Sequence, residues 1–421
     1  MLRLIPNRLL RATKSAAPSL LVYAPPRVDR YTFLSQKYLL TVVLREIPYR
    51  AFKRKVDQDG VSAAVHNSIE TLYRRKVFPH LFNFFIKRGS LRILYSDDLR
   101  RMATQSVEIG SSSGVDSSRV FDIGSGFIIP ETGLCLASNL ELVSSSIGSP
   151  EFSKKFTAES LARTDLEGCI LTPRLFLSKN MEKLASPING PLCALSPRYR
   201  NYYHWMAETI PKLKYIRKYE EKTGENVTFL LPSGLPNWAS ESLSLLGYPS
   251  KKFITATESI YMTDNLIIPP HPYPGTQEDY KWLRKQIFQA VPIEASNKST
   301  NIYISRENAI SRRVVNEDAV MDVLSQNNFK KFILEERSVR ENISIFSNAN
   351  IIVSPHGAGL TDILFCRDAT IIELFGSRKN DAYEQIAESL GFDYVGLDCE
   401  PVANDIRVDV DEISSLIHTE H

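Results

Sequence analysis

Ile351-Ile-Val-Ser-Pro-His-Gly-Ala-Gly-Leu360, followed by Thr370-Ile-Ile-Glu-Leu374, is the stretch on which the fold turns. Residues 351–354 and 370–374 are short apolar runs rich in β-formers, and two glycines follow the first run where the chain must bend sharply out of a strand. Residues 360–365 then read as the start of a helix. Outward from this stretch, Asn301-Ile-Tyr-Ile-Ser305 and residues 331–334 read as further strands. Residues 316–326, 339–348 and 382–390 read as helices, with Asn316 as an N-cap and Gly391 as a stop. Such β-α-β-α alternation predicts a doubly wound parallel sheet covered on both faces. Ligands of such sheets lie beyond the carboxyl ends of the strands, so the residues just after each strand are the ones to inspect.

Upstream, residues 121–130, 133–143, 169–177, 229–231 and 266–268 read as strands, and 239–246 and 280–290 as helices. A Ser/Gly-rich loop is expected at 110–118 and a polar linker at 295–301. The whole chain has 421 residues, 43% hydrophobic and 24% charged, a composition that excludes a disordered or fibrous protein. Its net charge of +3 conceals a gradient. Residues 1–100 hold 19 basic against 7 acidic residues, and residues 301–421 hold 11 against 21, which argues against a protein that coats nucleic acid. No apolar run approaches the roughly 18 residues needed to cross a bilayer. Cys135, Cys169, Cys193, Cys366 and Cys399 are scattered without a CxxC pair, which removes a zinc ribbon and suits a reducing compartment.

Four groups of residues carry candidate chemistry. His356 with Gly357, Ala358 and Gly359 stands at a strand-to-helix junction, where backbone N–H groups can meet an anion; it is neither a G-x-G-x-x-G fingerprint nor a Walker A loop. Arg306, Arg312 and Arg313 fall in one loop beyond the strand at 301–305, placed to hold a diphosphate through guanidinium forks or to pair with Glu307 and Glu317. In Asn201-Tyr-Tyr-His-Trp-Met-Ala-Glu-Thr-Ile-Pro211, His204 and Glu208 are four apart on a helix that Asn201 caps and Pro211 kinks, so either can orient the other or act as base. Glu373, ending a strand, can bind ribose hydroxyls or serve as a structural acid.

The order Asn201-Tyr-Tyr-His-Trp-Met-Ala-Glu208, Ser305-Arg306 with Arg312-Arg313, Pro355-His-Gly-Ala-Gly-Leu-Thr361 and Ile372-Glu-Leu374 resembles glycosyltransferase family 61 over residues 110–396. That family includes plant xylan-decorating transferases and bacterial capsular-polysaccharide proteins. The resemblance implies a GT-B architecture, with an acceptor-side Rossmann-like domain at 101–295 and a nucleotide-sugar-binding Rossmann-like domain at 296–421, behind a basic extension at 1–100 that has no counterpart in the family. It implies inverting transfer from a nucleotide sugar, a UDP-sugar foremost, to a glycan or lipid-linked glycan, with no obligatory metal. Glu208 is the first choice of base and His204 its partner, roles that can be exchanged; the arginines, His356 to Gly359 and Glu373 would hold the donor. The basic first 100 residues suit an anionic membrane surface, for a cytoplasmic protein at the membrane periphery. A non-catalytic nucleotide-sugar scaffold or sensor is the alternative, and an oxidoreductase is disfavoured because the third glycine of the dinucleotide fingerprint is missing.

Overall fold

The computed structural model describes residues 93–109, 119–143, 181–197, 199–271, 275–291 and 300–419. All of them belong to one compact unit, Ile93–Ser153 with Ser178–His421. The basic residues 1–92, the loop at 110–118, the strand expected at 169–177 and most of the linker expected at 295–301 lie outside the described residues.

The C-terminal half is a five-stranded parallel sheet of Thr300–Ile304, Phe329–Phe332, Ala349–Pro355, Thr370–Phe375 and Asp393–Asp398. In space the strands run second, first, third, fourth, fifth. The direction of winding therefore reverses between the first and third strands, Thr300–Ile304 and Ala349–Pro355, and their carboxyl ends lead into connections that part to opposite sides. Helices Glu317–Gln326, Val339–Ser347, Ala382–Leu390 and Val410–Thr419 pack around the sheet. Ser338 caps the second of these by accepting from Glu341 N, and Gly391 ends the third in the left-handed conformation, φ 76°.

Two local expectations change. Asn316 does not cap its helix: its amide bonds the backbone N and O of Val408, tying a late segment to the sheet. The helix expected from residue 360 is a 3₁₀ segment, Ala358–Phe365. Its tighter winding rises about 2 Å per residue, so eight residues cover about 16 Å where an α-helix would cover about 12 Å. That extra reach returns the chain along a six-residue strand of about 20 Å within a short crossover.

In the N-terminal half, four parallel strands, Phe253–Thr255, Thr228–Leu231, Pro191–Ala194 and Asn265–Ile268, are extended antiparallel by Arg119–Asp122 and Gln105–Glu108. Side chains alternate across this sheet as the pleat requires. Cys193, Phe229 and Ile267 join the core under helices Lys212–Thr223, Asn237–Leu245 and Gln277–Ala290. Leu192, Leu230, Leu266 and Ile268 instead face a second six-stranded sheet that includes Gly126–Ile129, Leu134–Ala137 and Tyr261–Thr263. Gly126 marks the close approach of the two, since a Cβ there would lie 2.5 Å from Leu266 Cδ2. One face of this half is thus covered by strands rather than helices.

One hydrophobic core runs through both halves, with Trp205, Leu213 and Ile287 from the first meeting Ile343, Phe346 and Phe365 from the second. Polar stitches reinforce it: Glu241 accepts from Val339 N and Arg340 N, both at 3.0 Å, and Arg284 donates to Leu364 O at 2.8 Å. No helix among the described residues is long and apolar enough to cross a membrane.

Under helix Gln277–Ala290, fully buried Asp279 accepts from Lys214 Nζ and Tyr215 Oη at 2.8 Å each and from the Thr276 cap. Asp279→Ala leaves the buried Lys214 ammonium with only the exposed Glu278 carboxylate, 3.8 Å away, so urea unfolding is expected to show a loss of about 3–5 kcal/mol.

Candidate functional site

His204 and Glu208 lie on one wide π-helical turn, His204–Thr209. Ile210 N bonds Trp205 O at 2.9 Å, five residues back, and Thr209 Oγ1 bonds His204 O at 2.8 Å. Pro211 explains the widening: it has no N–H to continue the α-ladder, and the helix restarts at Lys212. Asn201 caps the turn as expected, its Oδ1 accepting from His204 N at 3.0 Å. The result brings His204 Nδ1 to 2.8 Å from Glu208 Oε1. Glu208 is 0% exposed and His204 13%, so the imidazole is the member of the pair that reaches solvent.

A second histidine–carboxylate pair forms at the end of the central strand. His356 Nδ1 contacts Glu373 Oε1, and Glu373 Oε2 accepts from Tyr394 Oη at 2.6 Å. Both oxygens of Glu373 are thereby engaged and the residue is fully buried. Glu373 sits behind His356, with both carboxylate oxygens turned to protein groups. His356 stacks on Phe375 with centroids 5.5 Å apart. Ring contacts join the two histidines: His204 to Tyr203 at 5.1 Å, Tyr203 to Tyr383 at 5.6 Å, and Tyr383 to His356 at 5.5 Å.

The three arginines separate in role. Arg306 lies across Gly357, and a Cβ at residue 357 would fall on its guanidinium. Glycine is required there for space, since its φ of 176° is extended backbone. Arg306 donates to Ser311 O at 3.2 Å, and its buried Nε has no acceptor. Burial and the charge of neighbouring Arg312 both weaken its hold on its proton, a strain that a bound anion relieves. Arg312 adopts φ 59° and is fixed by Arg312 N to Asn404 O at 2.7 Å, on the hairpin Glu400–Val402 and Asp405–Arg407. Among the described residues neither Arg306 nor Arg312 has a carboxylate partner. Glu307 and Glu317, their sequence neighbours, are instead bound by Lys331. Arg313 turns to Asp405 through Nε and Nη2, at 3.2 and 2.7 Å, and acts as a brace for the loop.

Arg306, Gly357 and His356 thus converge where the winding of the parallel sheet reverses. Gly359 packs on Leu334, with only 2.9 Å between a would-be Cβ and Leu334 Cδ1, and Ala358 begins the 3₁₀ segment beside it. Among the described residues no cluster of three His, Cys, Asp or Glu could hold a metal ion.

Three contributors were not singled out in the sequence. Tyr202 donates to Asp362 Oδ1 at 2.7 Å, joining the His204 turn to the segment after the glycines. Burial pushes the Asp362 carboxyl up to about 7. A lone acid inside Leu360-Thr-Asp-Ile-Leu-Phe365 was the available signal. Asn380 contacts His356 Nε2 at 3.0 Å from an exposed loop, and nothing in the sequence marked it.

The family model for Glycosyltransferase 61 matches residues 202–372, from Tyr202 to Ile372, one residue short of Glu373. No curated protein matches the chain.

Two measurements test this geometry. Gly357→Ala displaces the Arg306 guanidinium, and the expected result is at least a tenfold loss of diphosphate affinity by calorimetry with unfolding little changed. The folded protein holds the Asp362 proton up to about pH 7, whereas the unfolded chain releases it near about pH 4, so this group's contribution to stability falls as pH rises through that window. Asp362→Asn retains an acceptor for Tyr202 and removes that loss; its melting temperature is expected to gain on wild type steadily from pH 5 to pH 8.

Proposed function

From the match of residues 202–372 to the Glycosyltransferase 61 model and the geometry of the site, we propose that the chain is a member of that family, an inverting glycosyltransferase that moves a sugar from a nucleotide-sugar donor to a hydroxyl of a glycan acceptor. The observation that carries this reading is the pair of guanidiniums without carboxylate partners, Arg306 and Arg312, beside the Gly357 loop at the sheet's reversal point. Negative charge grows on the leaving diphosphate as the sugar's C1–O bond breaks, and preorganised cations in a half-buried site stabilise it strongly.

On the acceptor side, a base must take the hydroxyl proton as the oxygen attacks C1 from the face opposite the diphosphate. We assign that task to His204. Its Nδ1 faces Glu208, which leaves Nε2 for the acceptor, and wholly buried Glu208 holds the ring and balances the imidazolium that forms. This exchanges the roles that spacing alone favoured. Tyr203 and Tyr383, between the two histidines, then flank the path along which the sugar crosses.

A UDP-sugar is the first donor to test, with a glycan or lipid-linked glycan in polysaccharide or glycoconjugate biosynthesis as acceptor. Thermal-shift screening against nucleotide sugars identifies the donor by the stabilisation a selective ligand confers. With that donor, Arg306→Ala is expected to lower kcat/KM by about 10²–10³ and His204→Ala by about 10²–10⁴, the fold remaining intact. Full activity in both variants sinks the site assignment, and donor binding with neither transfer nor slow hydrolysis identifies a non-catalytic sensor instead. The 19 basic residues among the first 100 suit docking on an anionic membrane, to be checked by sedimentation of the full chain with anionic vesicles at low salt.

A further inference from the structure

Both ring nitrogens of His356 are occupied. Nδ1 meets Glu373, and Nε2 meets the amide nitrogen of Asn380 at 3.0 Å. The orientation of that amide is fixed from its other end, because Asn380 Oδ1 accepts from Ala382 N at 3.1 Å at the start of helix Ala382–Leu390. The amide nitrogen therefore donates, and Nε2 accepts through its lone pair. A histidine in this state carries its one proton on Nδ1, toward Glu373, and has nothing to donate to a phosphate oxygen.

We propose that Asn380 is a positioning residue that gates the donor site by holding His356 in this neutral tautomer, so that anion binding requires Asn380 to leave and His356 to take up one proton. The proton comes from solvent to Nε2, and the imidazolium so formed donates from Nε2 to the anion while Nδ1–H remains on Glu373. The inference rests on the diphosphate reading of the site. The surroundings suit the exchange. Glu373, from the adjacent strand, supplies the compensating negative charge, with Tyr394 donating to its second oxygen. Phe375 and Tyr383 cover the ring faces without charge, Lys379 lies over Phe375, 5.9 Å from its centroid, and Arg306 approaches through Gly357. Asn380 itself is on an exposed loop, where releasing it disturbs no core packing.

The test uses full-length protein with ¹⁵N-labelled histidine, the His356 signals assigned by their absence in His356→Gln. In the ligand-free wild type the neutral imidazole is expected to carry its proton on Nδ1 with Nε2 bare, and in Asn380→Ala that preference for a bare Nε2 is expected to be lost. Pyrophosphate is the binding probe. Its own ionisation is common to both proteins and cancels in their comparison. Wild type is expected to lose affinity more steeply than Asn380→Ala as pH rises, with the variant several-fold tighter at pH 8 and the two converging at pH 6. Asn380→Asp, which keeps the Ala382 cap, is expected to protonate His356 more readily. A protonated Nε2 in the ligand-free wild type, or identical pH dependence of pyrophosphate binding in wild type and Asn380→Ala, overturns the gate while leaving the diphosphate site standing. No pyrophosphate binding at any pH overturns both.

Discussion

A carboxylate withdrawn from water costs several kcal/mol unless a partner answers it, and three such groups line the junction between the two halves of this chain. Glu208 is answered by His204, Glu373 by His356 and Tyr394, and Asp362 by Tyr202. Each pairing fixes a side chain that has its own work to do, because the acid is immobile in packed surroundings and its partner inherits that immobility. Each imidazole is thus presented at the edge of the core with its Nδ1 turned to a buried acid. The cost is recovered from the continuous apolar core in which Trp205, Ile287, Phe346 and Phe365 share contacts.

The electrostatic arrangement follows from the same economy of placement. The C-terminal region is acidic as a whole, yet three of its nearby acids are matched elsewhere: Lys331 takes Glu307 and Glu317, and Arg313 takes Asp405, while Glu335 acts on Arg306 through its charge alone. Arg306 and Arg312 remain side by side, mutually repelling, with the backbone of a glycine loop against one of them. Two like charges held together by a hairpin and a glycine are a poor structural element and a good receptor for an anion.

The parallel sheet was legible because its strands are short, apolar and evenly spaced, and every one read between residues 301 and 374 is present within about two residues. The lone helix that failed, after Gly359, winds as a 3₁₀ segment, a distinction that apolar periodicity does not encode. Asn316 looked like a cap because caps are local, whereas its actual partner Val408 is 92 positions away. The pairing of His204 with Glu208 was readable for the same reason that Asn316 misled, since neighbours on one helical turn meet whatever the tertiary fold. Glu373 could not be assigned from its strand position, because a strand residue faces either the ligand or the sheet's interior, and Tyr394 decides which from the next strand. The sandwiching of the N-terminal sheet by other strands was likewise hidden, as β-structure in that region was visible but its pairing was not.

The π-turn at His204–Thr209 has a consequence for what the sequence tolerates. A wide turn before Pro211 inserts an offset between the helix that carries His204 and the helix that continues through Thr223. Replacing the proline would offer the ladder its missing N–H and let the wide turn tighten. Everything upstream would then rotate by a fraction of a turn about the helix axis, carrying Tyr202 away from Asp362 and His204 away from Tyr203's neighbour Tyr383. The proline therefore acts as an angular setting for Tyr202 and His204. A change that locally improves the helix would mis-aim the machinery it carries, so greater helical regularity and function pull in opposite directions at this one position.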